Sequence, residues 1–204
     1  MPFRKLIEPL KDAIIRKQFE GPLPFQKLIL SKIKGGANVF GIGPDSCGKT
    51  TTLILSVVQK LKGIAFEDAP RALIIVKDKQ AALDLASTIN TFTSQTNMRV
   101  YCAYEEHSID AQKDEIYVGV DILIATPKRL NKLFLLNSIN LSQLQLFIVE
   151  DAEFAAISNN FQDINRISES IDKCQYLIFA KSFDRKVKRF QDAFMYNSQV
   201  VEIK

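Results

Sequence analysis

One stretch restricts this chain more than any other: Ala37-Asn38-Val39-Phe40-Gly41-Ile42-Gly43-Pro44-Asp45-Ser46-Cys47-Gly48-Lys49-Thr50. A short apolar run enters a tight turn, and an amphipathic helix leaves it. The turn follows the pattern glycine, four residues, glycine, lysine, then serine or threonine. Backbone N–H groups in such a turn and at the helix N-terminus converge and form an anion nest. In this reading Lys49 reaches the terminal phosphates of a nucleotide and the Thr50 hydroxyl holds a magnesium ion. Gly43, Pro44, Asp45, Ser46, Cys47, Gly48, Lys49, Thr50 and Thr51 are then the expected phosphate-binding segment. The alternative is a glycine turn before an ordinary helix, but both flanks fit the phosphate reading. Asp45 is an anion inside the turn, and it repels phosphate unless it points outward.

The remaining chain alternates strand and helix. Residues 3–18 place Phe3, Leu6, Ile7, Leu10 and Ile14 on one helical face, and Gly21-Pro22-Leu23-Pro24 breaks that helix. A second helix is expected at 24–34, ended by Gly35-Gly36. The helix after the phosphate turn carries Leu53, Ile54, Val57, Val58 and Leu61 and ends at Gly63. Apolar strands are expected at 72–76, 98–103, 121–125, 145–149, 176–180 and 200–203, with helices at 79–92, from Pro127, at 160–173 and at 184–195. The polar stretch 105–115 reads as a loop. Continuous apolar strands separated by helices predict an α/β fold: a three-layer phosphate-loop domain with a mainly parallel central sheet covered on both faces.

Composition narrows the class. At 204 residues with 47% hydrophobic and 25% charged residues, one large globular domain is expected. The longest apolar runs are too short to cross a bilayer, and the start lacks a secretory pattern, so no membrane partner and a cytoplasmic location are the default expectation. Cys47, Cys102 and Cys174 lack metal-type spacing and are expected to be reduced, mostly as small core residues. His107 lies in a polar stretch and reads as a loop residue. A net charge of +4 does not by itself argue for nucleic acid.

A second carboxylate cluster falls at the right place. Ligands of such sheets sit beyond the carboxyl ends of the strands. The run Phe147-Ile148-Val149 delivers Glu150 and Asp151 to that edge. Glu150 can hold the magnesium ion that Thr50 also touches, and Asp151 can orient or deprotonate the attacking water. A solvated acidic helix start is the alternative when the pair is taken alone.

These residues together resemble the first RecA-like domain of the DEAD-box RNA helicases, over nearly the whole chain. Phe19, Pro22, Pro24 and Gln26 sit as in the family's Q motif, within an N-terminal helical region of about residues 1–36. The resemblance implies that Gln26 reads the adenine edge, for which an amide offers both donor and acceptor. Thr126, Pro127, Lys128 and Arg129 stand for the family's Thr-Pro-Gly-Arg motif, which implies contact with RNA backbone. Thr126-Pro127 is equally a plain helix start, with threonine as cap. Glu150-Asp151-Ala152-Glu153 occupies the place of Asp-Glu-Ala-Asp, and Ala180-Lys181-Ser182 that of Ser-Ala-Thr. The resemblance thus implies ATP, Mg2+ and RNA as ligands.

The departures are informative. Glu150 and Asp151 exchange the family's two acids, and a misplacement of about 1 Å costs about 100-fold in rate, so hydrolysis is expected to be slow. Lys77-Asp78-Lys79-Gln80-Ala81 keeps nothing of the family's Pro-Thr-Arg-Glu-Leu, and Tyr104-Glu105-Glu106 replaces its double glycine. Acids there repel a phosphate backbone. Ser46 stands where the family usually has glycine, at a backbone angle expected to disfavour serine. The chain ends where the family's first domain ends, so unwinding by this chain alone is not expected; a second RecA-like domain or a protein partner would supply the other half of the cleft. Two groups of positive charge, Lys128, Arg129 and Lys132, and Lys181, Arg185, Lys186, Lys188 and Arg189, are either solvated surface or phosphate contacts. The competing reading is a catalytically degenerate interaction or regulatory protein on a helicase scaffold. A small-substrate kinase would want an arginine-bearing lid, for which the acidic 105–115 stretch is poorly suited.

Overall fold

A computed structural model of the chain describes Phe3 and residues 5–203. Met1, Pro2, Arg4 and Lys204 lie outside the described residues, and with them part of the reading of the chain's start.

Seven strands form one parallel sheet: β1 (Val39–Ile42), β2 (Ala72–Ile75), β3 (Val100–Ala103), β4 (Ile122–Ala125), β5 (Leu146–Val149), β6 (Gln175–Ala180) and β7 (Gln199–Glu202). Their order across the sheet is β3-β4-β2-β5-β6-β1-β7. The expected short apolar runs become strands because a parallel sheet buries both faces. In β2, Ala72 and Ile74 face one core while Leu73 and Ile75 face the other.

Helices α1 (Glu8–Arg16), α2 (Pro24–Lys34), α3 (Lys49–Lys60) and α4 (Lys79–Thr93) cover the first face. Leu10, Phe25, Leu53 and Leu85 are their inward anchors. Phe3 and Leu6 pack on the same core although they precede α1, so the apolar stripe read over 3–18 is only partly helical. Helices α5 (Ile109–Val118), α6 (Pro127–Leu135), α7 (Ala152–Ala155), α8 (Ser158–Glu169) and α9 (Arg185–Phe194) cover the second face through Ile116, Leu130, Ala155, Ile164 and Phe190.

The expected loop at 105–115 is corrected: most of it lies in α5. That helix buries only Gln112 and Ile116, so its apolar stripe is too thin to announce a 3.6-residue period. Gln112 is held by donating from Nε2 to the Tyr104 carbonyl at 2.9 Å. β3 starts at Val100, two residues later than read, and Val100, Tyr101 and Cys102 are half-buried because β3 is an edge strand. The three cysteines are free and half-buried, less enclosed than core residues.

At the amino end of the sheet a buried carboxylate ties three segments together. Asp121, just before β4, accepts from Arg71 Nη2 at 2.6 Å, from Arg99 Nε at 3.0 Å and from the backbone N–H groups of Phe66 and Arg99. Burial pushes its pKa up, but these bonds outweigh that and hold it below the ordinary value.

Among the described residues, no helix is long and apolar enough to cross a membrane.

Candidate nucleotide site

The phosphate turn joins β1 to α3. Two residues in it take left-handed backbone angles: Ser46 at φ 64° and Gly48 at φ 97°. At Gly48 a side chain would be strained, and its Cβ would sit 2.9 Å from Gln26 Nε2. The strained serine expected at position 46 is therefore present, held in the left-handed region.

Lys49 begins α3 and folds back over the turn. Its Nζ donates to the Gly43 carbonyl at 2.5 Å and to the Pro44 carbonyl at 2.8 Å. The ammonium thus sits inside the bend, held by two carbonyls of the turn itself. Cys47 lies half-buried beneath, where its Sγ would be 2.9 Å from a Cβ on Gly43. Thr51 is half-buried in the first turn of α3.

Glu150 leaves the carboxyl end of β5 and meets the same place. The Thr50 hydroxyl donates to Glu150 Oε1 at 3.2 Å. Burial raises the pKa of Glu150, the Thr50 bond opposes that, and neighbouring Asp151 adds to the rise. Asp151 is the N-cap of α7, accepting from the Glu153 N–H at 3.3 Å. Glu153 Oε1 in turn accepts from the Lys181 N–H at 2.5 Å, whereas its Oε2 is buried without a partner. Lys49, Thr50, Glu150, Asp151 and Glu153 line one cavity, with Asp45 and Lys181 at its rim.

The donor set suits a hard cation carried by phosphates. Among the described residues no three His, Cys, Asp or Glu side chains converge as a complete metal cage. Thr50 and Glu150 supply two oxygens at the cavity wall, the number magnesium takes from protein when phosphates and water fill the other positions.

Gln26 lies on α2 beside the turn, 4% exposed. Its Oε1 accepts from the Leu23 N–H at 3.0 Å, bracing the start of α2, and its Nε2 donates weakly to the Gly48 carbonyl at 3.4 Å. The glutamine therefore touches the phosphate turn directly. Phe19 stands further off, 40% exposed, tilted against Phe92 of α4 with ring centroids 6.4 Å apart.

The Thr126–Arg129 group behaves differently. Thr126, Pro127 and Arg129 are buried at the start of α6, and only Lys128 is exposed. Glu105 draws in two of them: Thr126 Oγ1 donates to Glu105 Oε2 at 2.7 Å, and Arg129 Nη2 donates to the Glu105 carbonyl at 2.6 Å. Arg129 Nε and Nη1 stay buried without partners. The acid expected to repel phosphate is thus the group bonded to Thr126.

Lys181 Nζ donates to Asp45 Oδ2 at 2.8 Å, a contact that the sequence does not signal. The isolated charges gave no signal, because only the sheet order makes them neighbours.

A family model described as DEAD/DEAH box helicase matches residues 23–190. The chain is 28% identical over 193 residues to the pre-mRNA-processing ATP-dependent RNA helicase PRP5 of Candida albicans, covering 90% of this chain and 22% of that protein. It is 28% identical over 200 residues to the ATP-dependent RNA helicase RhlB of Yersinia pestis, covering 94% of this chain and 47% of that protein. The chain thus spans less than half the length of these relatives. Its fold matches a DEAD box protein from the hyperthermophile Methanococcus jannaschii with a TM-score of 0.89 at 20% identity, over 98% of this chain and 55% of the other. The yeast DEAD-box splicing factor Prp28 matches with a TM-score of 0.86 at 19% identity, over 98% and 50%.

Proposed function

Since the chain belongs to the DEAD/DEAH box helicase family, we propose that it is an ATP-binding RecA-like domain, residues 1–204, whose cavity takes ATP with Mg2+ and whose α6 edge takes RNA backbone. The observation that carries the reading is the Thr50–Glu150 hydrogen bond beside Lys49, which places cation, hydroxyl and carboxylate around one cavity.

The roles follow from the chemistry of each group. The backbone N–H groups of residues 45–49, at the N-terminus of α3, would receive the phosphates. Lys49, which bonds the Gly43 and Pro44 carbonyls, would exchange them for phosphate oxygens, which are stronger, charged acceptors. Thr50 and Glu150 would hold magnesium, directly or through water, and the bound ion would neutralise phosphate charge. Gln26, which lies against Gly48, would offer its remaining N–H and lone pair to an adenine edge. Phe19 would add apolar contact to the base.

Hydrolysis is slow in this account. Asp151 is the candidate to orient water, but its carboxylate caps α7, and it is shorter than the glutamate the family uses there. RNA contact through Thr126, Pro127, Lys128 and Arg129 is weak, because Glu105 occupies the Thr126 hydroxyl. A second RecA-like domain or a partner would complete the cleft.

Calorimetry with ATP and GTP on the wild type and Lys49→Ala tests the reading. ATP is expected to bind more tightly than GTP, and Lys49→Ala to weaken binding about 10- to 100-fold by removing charged hydrogen bonds. Equal binding of both nucleotides, or binding indifferent to the substitution, contradicts it.

A further inference from the structure

The Lys181–Asp45 pair lies where folding alone does not call for it. Both side chains are exposed, at 56% and 73%, and such a pair contributes little stability. Its position is more telling. β6 is the single strand between β1, which feeds the phosphate turn, and β5, which delivers Glu150. The chain leaving β6 therefore emerges between the turn and the acid. The residue at that exit is Lys181, and its backbone N–H is pinned by Glu153 Oε1 at 2.5 Å. Its ammonium is drawn over the turn by Asp45 and lies at the rim of the same cavity as Lys49, Thr50 and Glu150.

Two features that look unfavourable separately thus fit together. Asp45 places a negative charge in a turn built for anions. Lys181 places a positive charge at a strand exit that faces the acids. Paired, each offsets the other, and the turn presents no net repulsion to an incoming phosphate. A lysine ammonium has three donors on a flexible stem. Through one it can keep Asp45 while the others face the cavity.

We propose that Lys181 is a second phosphate-binding lysine, specific for the terminal phosphate of a nucleoside triphosphate, which Asp45 holds in reserve over the turn. The proposal rests on the ATP reading of the same cavity. Terminal-phosphate selectivity follows from the side of approach. Lys49 grips the turn from α3, whereas Lys181 comes from the β6 exit beside Glu150, where the metal-bearing end of the polyphosphate chain would lie.

The test is calorimetry with ATP and with ADP, each with Mg2+, on the intact chain and on Lys181→Met, Asp45→Asn, the double variant and Lys49→Ala. Lys181→Met is expected to weaken ATP about tenfold and ADP by less than about twofold. Asp45→Asn is expected to tighten ATP about threefold, and this gain should vanish in the double variant because it acts through the freed lysine. Loss of binding in Lys49→Ala with no change in Lys181→Met overturns this proposal and leaves the ATP reading standing. Equal weakening of ATP and ADP by Lys181→Met also overturns it. Absence of ATP binding to the wild type overturns both. Circular dichroism and thermal melts of each variant establish that the exposed substitutions leave the fold intact.

Discussion

Thr50 and Glu150, one hundred positions apart in the chain, meet through a 3.2 Å hydrogen bond from hydroxyl to carboxylate. The bond joins the first turn of α3 to the carboxyl end of β5 and defines the wall of the cavity. Its acid is also held against the cost of burial. Burial raises the Glu150 pKa above the ordinary 4.5, with Asp151 reinforcing and Thr50 and Lys77 opposing.

A sign for pH dependence follows. A carboxyl whose pKa is raised by folding takes up protons as the chain folds, so its stability contribution is present below the unfolded value and is lost as pH rises through the folded one. Glu150→Gln should flatten this trend and raise the melting temperature of the ligand-free chain by about 1–3 °C at neutral pH. The same substitution should weaken Mg2+-dependent ATP binding about tenfold. Thermal melts from pH 4 to 8 and calorimetry with and without Mg2+ check both halves. A destabilised variant with unchanged affinity would contradict the assignment.

Gln26 has a structural and a recognition role that one substitution separates. Gln26→Ala removes the acceptor that braces the Leu23 N–H and should cost about 1 kcal/mol in urea denaturation. If it also reads adenine, the ATP-to-GTP preference should collapse toward unity. A purely structural glutamine would lower stability and leave the preference intact.

Glu105 predicts a gain of RNA affinity. Glu105→Ala frees the Thr126 hydroxyl and removes a negative charge from the start of α6. Binding of single-stranded RNA, followed by fluorescence anisotropy, should strengthen about three- to tenfold with a steeper salt dependence. Unchanged affinity and salt slope would separate this edge from RNA.

The Asp121 anchor should behave as a structural element alone. Asp121→Asn leaves Arg71 buried beside a neutral partner, for a cost of about 3–5 kcal/mol. Because the hydrogen bonds hold the Asp121 pKa below 3.8, its contribution is full above that pH and is lost as pH falls through the lowered folded value. Denaturant midpoints against pH for wild type and variant should converge in acid and separate at neutral pH.

Much of this architecture was legible in the residues, and the exceptions share a cause. The β2, β4, β5 and β6 runs announced themselves because both faces are buried and the apolar stretch is continuous. The turn and the Glu150 acid were legible because local pattern fixes their place at strand ends. α5 was not, since a helix that buries two residues leaves almost no period. The Asp45–Lys181 pair, the Glu105–Thr126 bond and the Asp121 anchor were invisible for another reason. Each joins residues that become neighbours only once the strand order is known. The Gln26–Gly48 contact belongs with them: the sequence marks the glutamine, but only packing of α2 beside the turn brings it to Gly48.

The most direct test of the central claim is the anomalous signal of Mn2+, substituting for Mg2+, in crystals grown with a non-hydrolysable ATP analogue. The account predicts one peak between Thr50 Oγ1 and Glu150, at the roughly 2–4 Å expected of direct or water-mediated coordination, with the adenine against Gln26. A peak remote from Thr50 and Glu150, or a nucleotide bound outside the 43–51 turn, would contradict it.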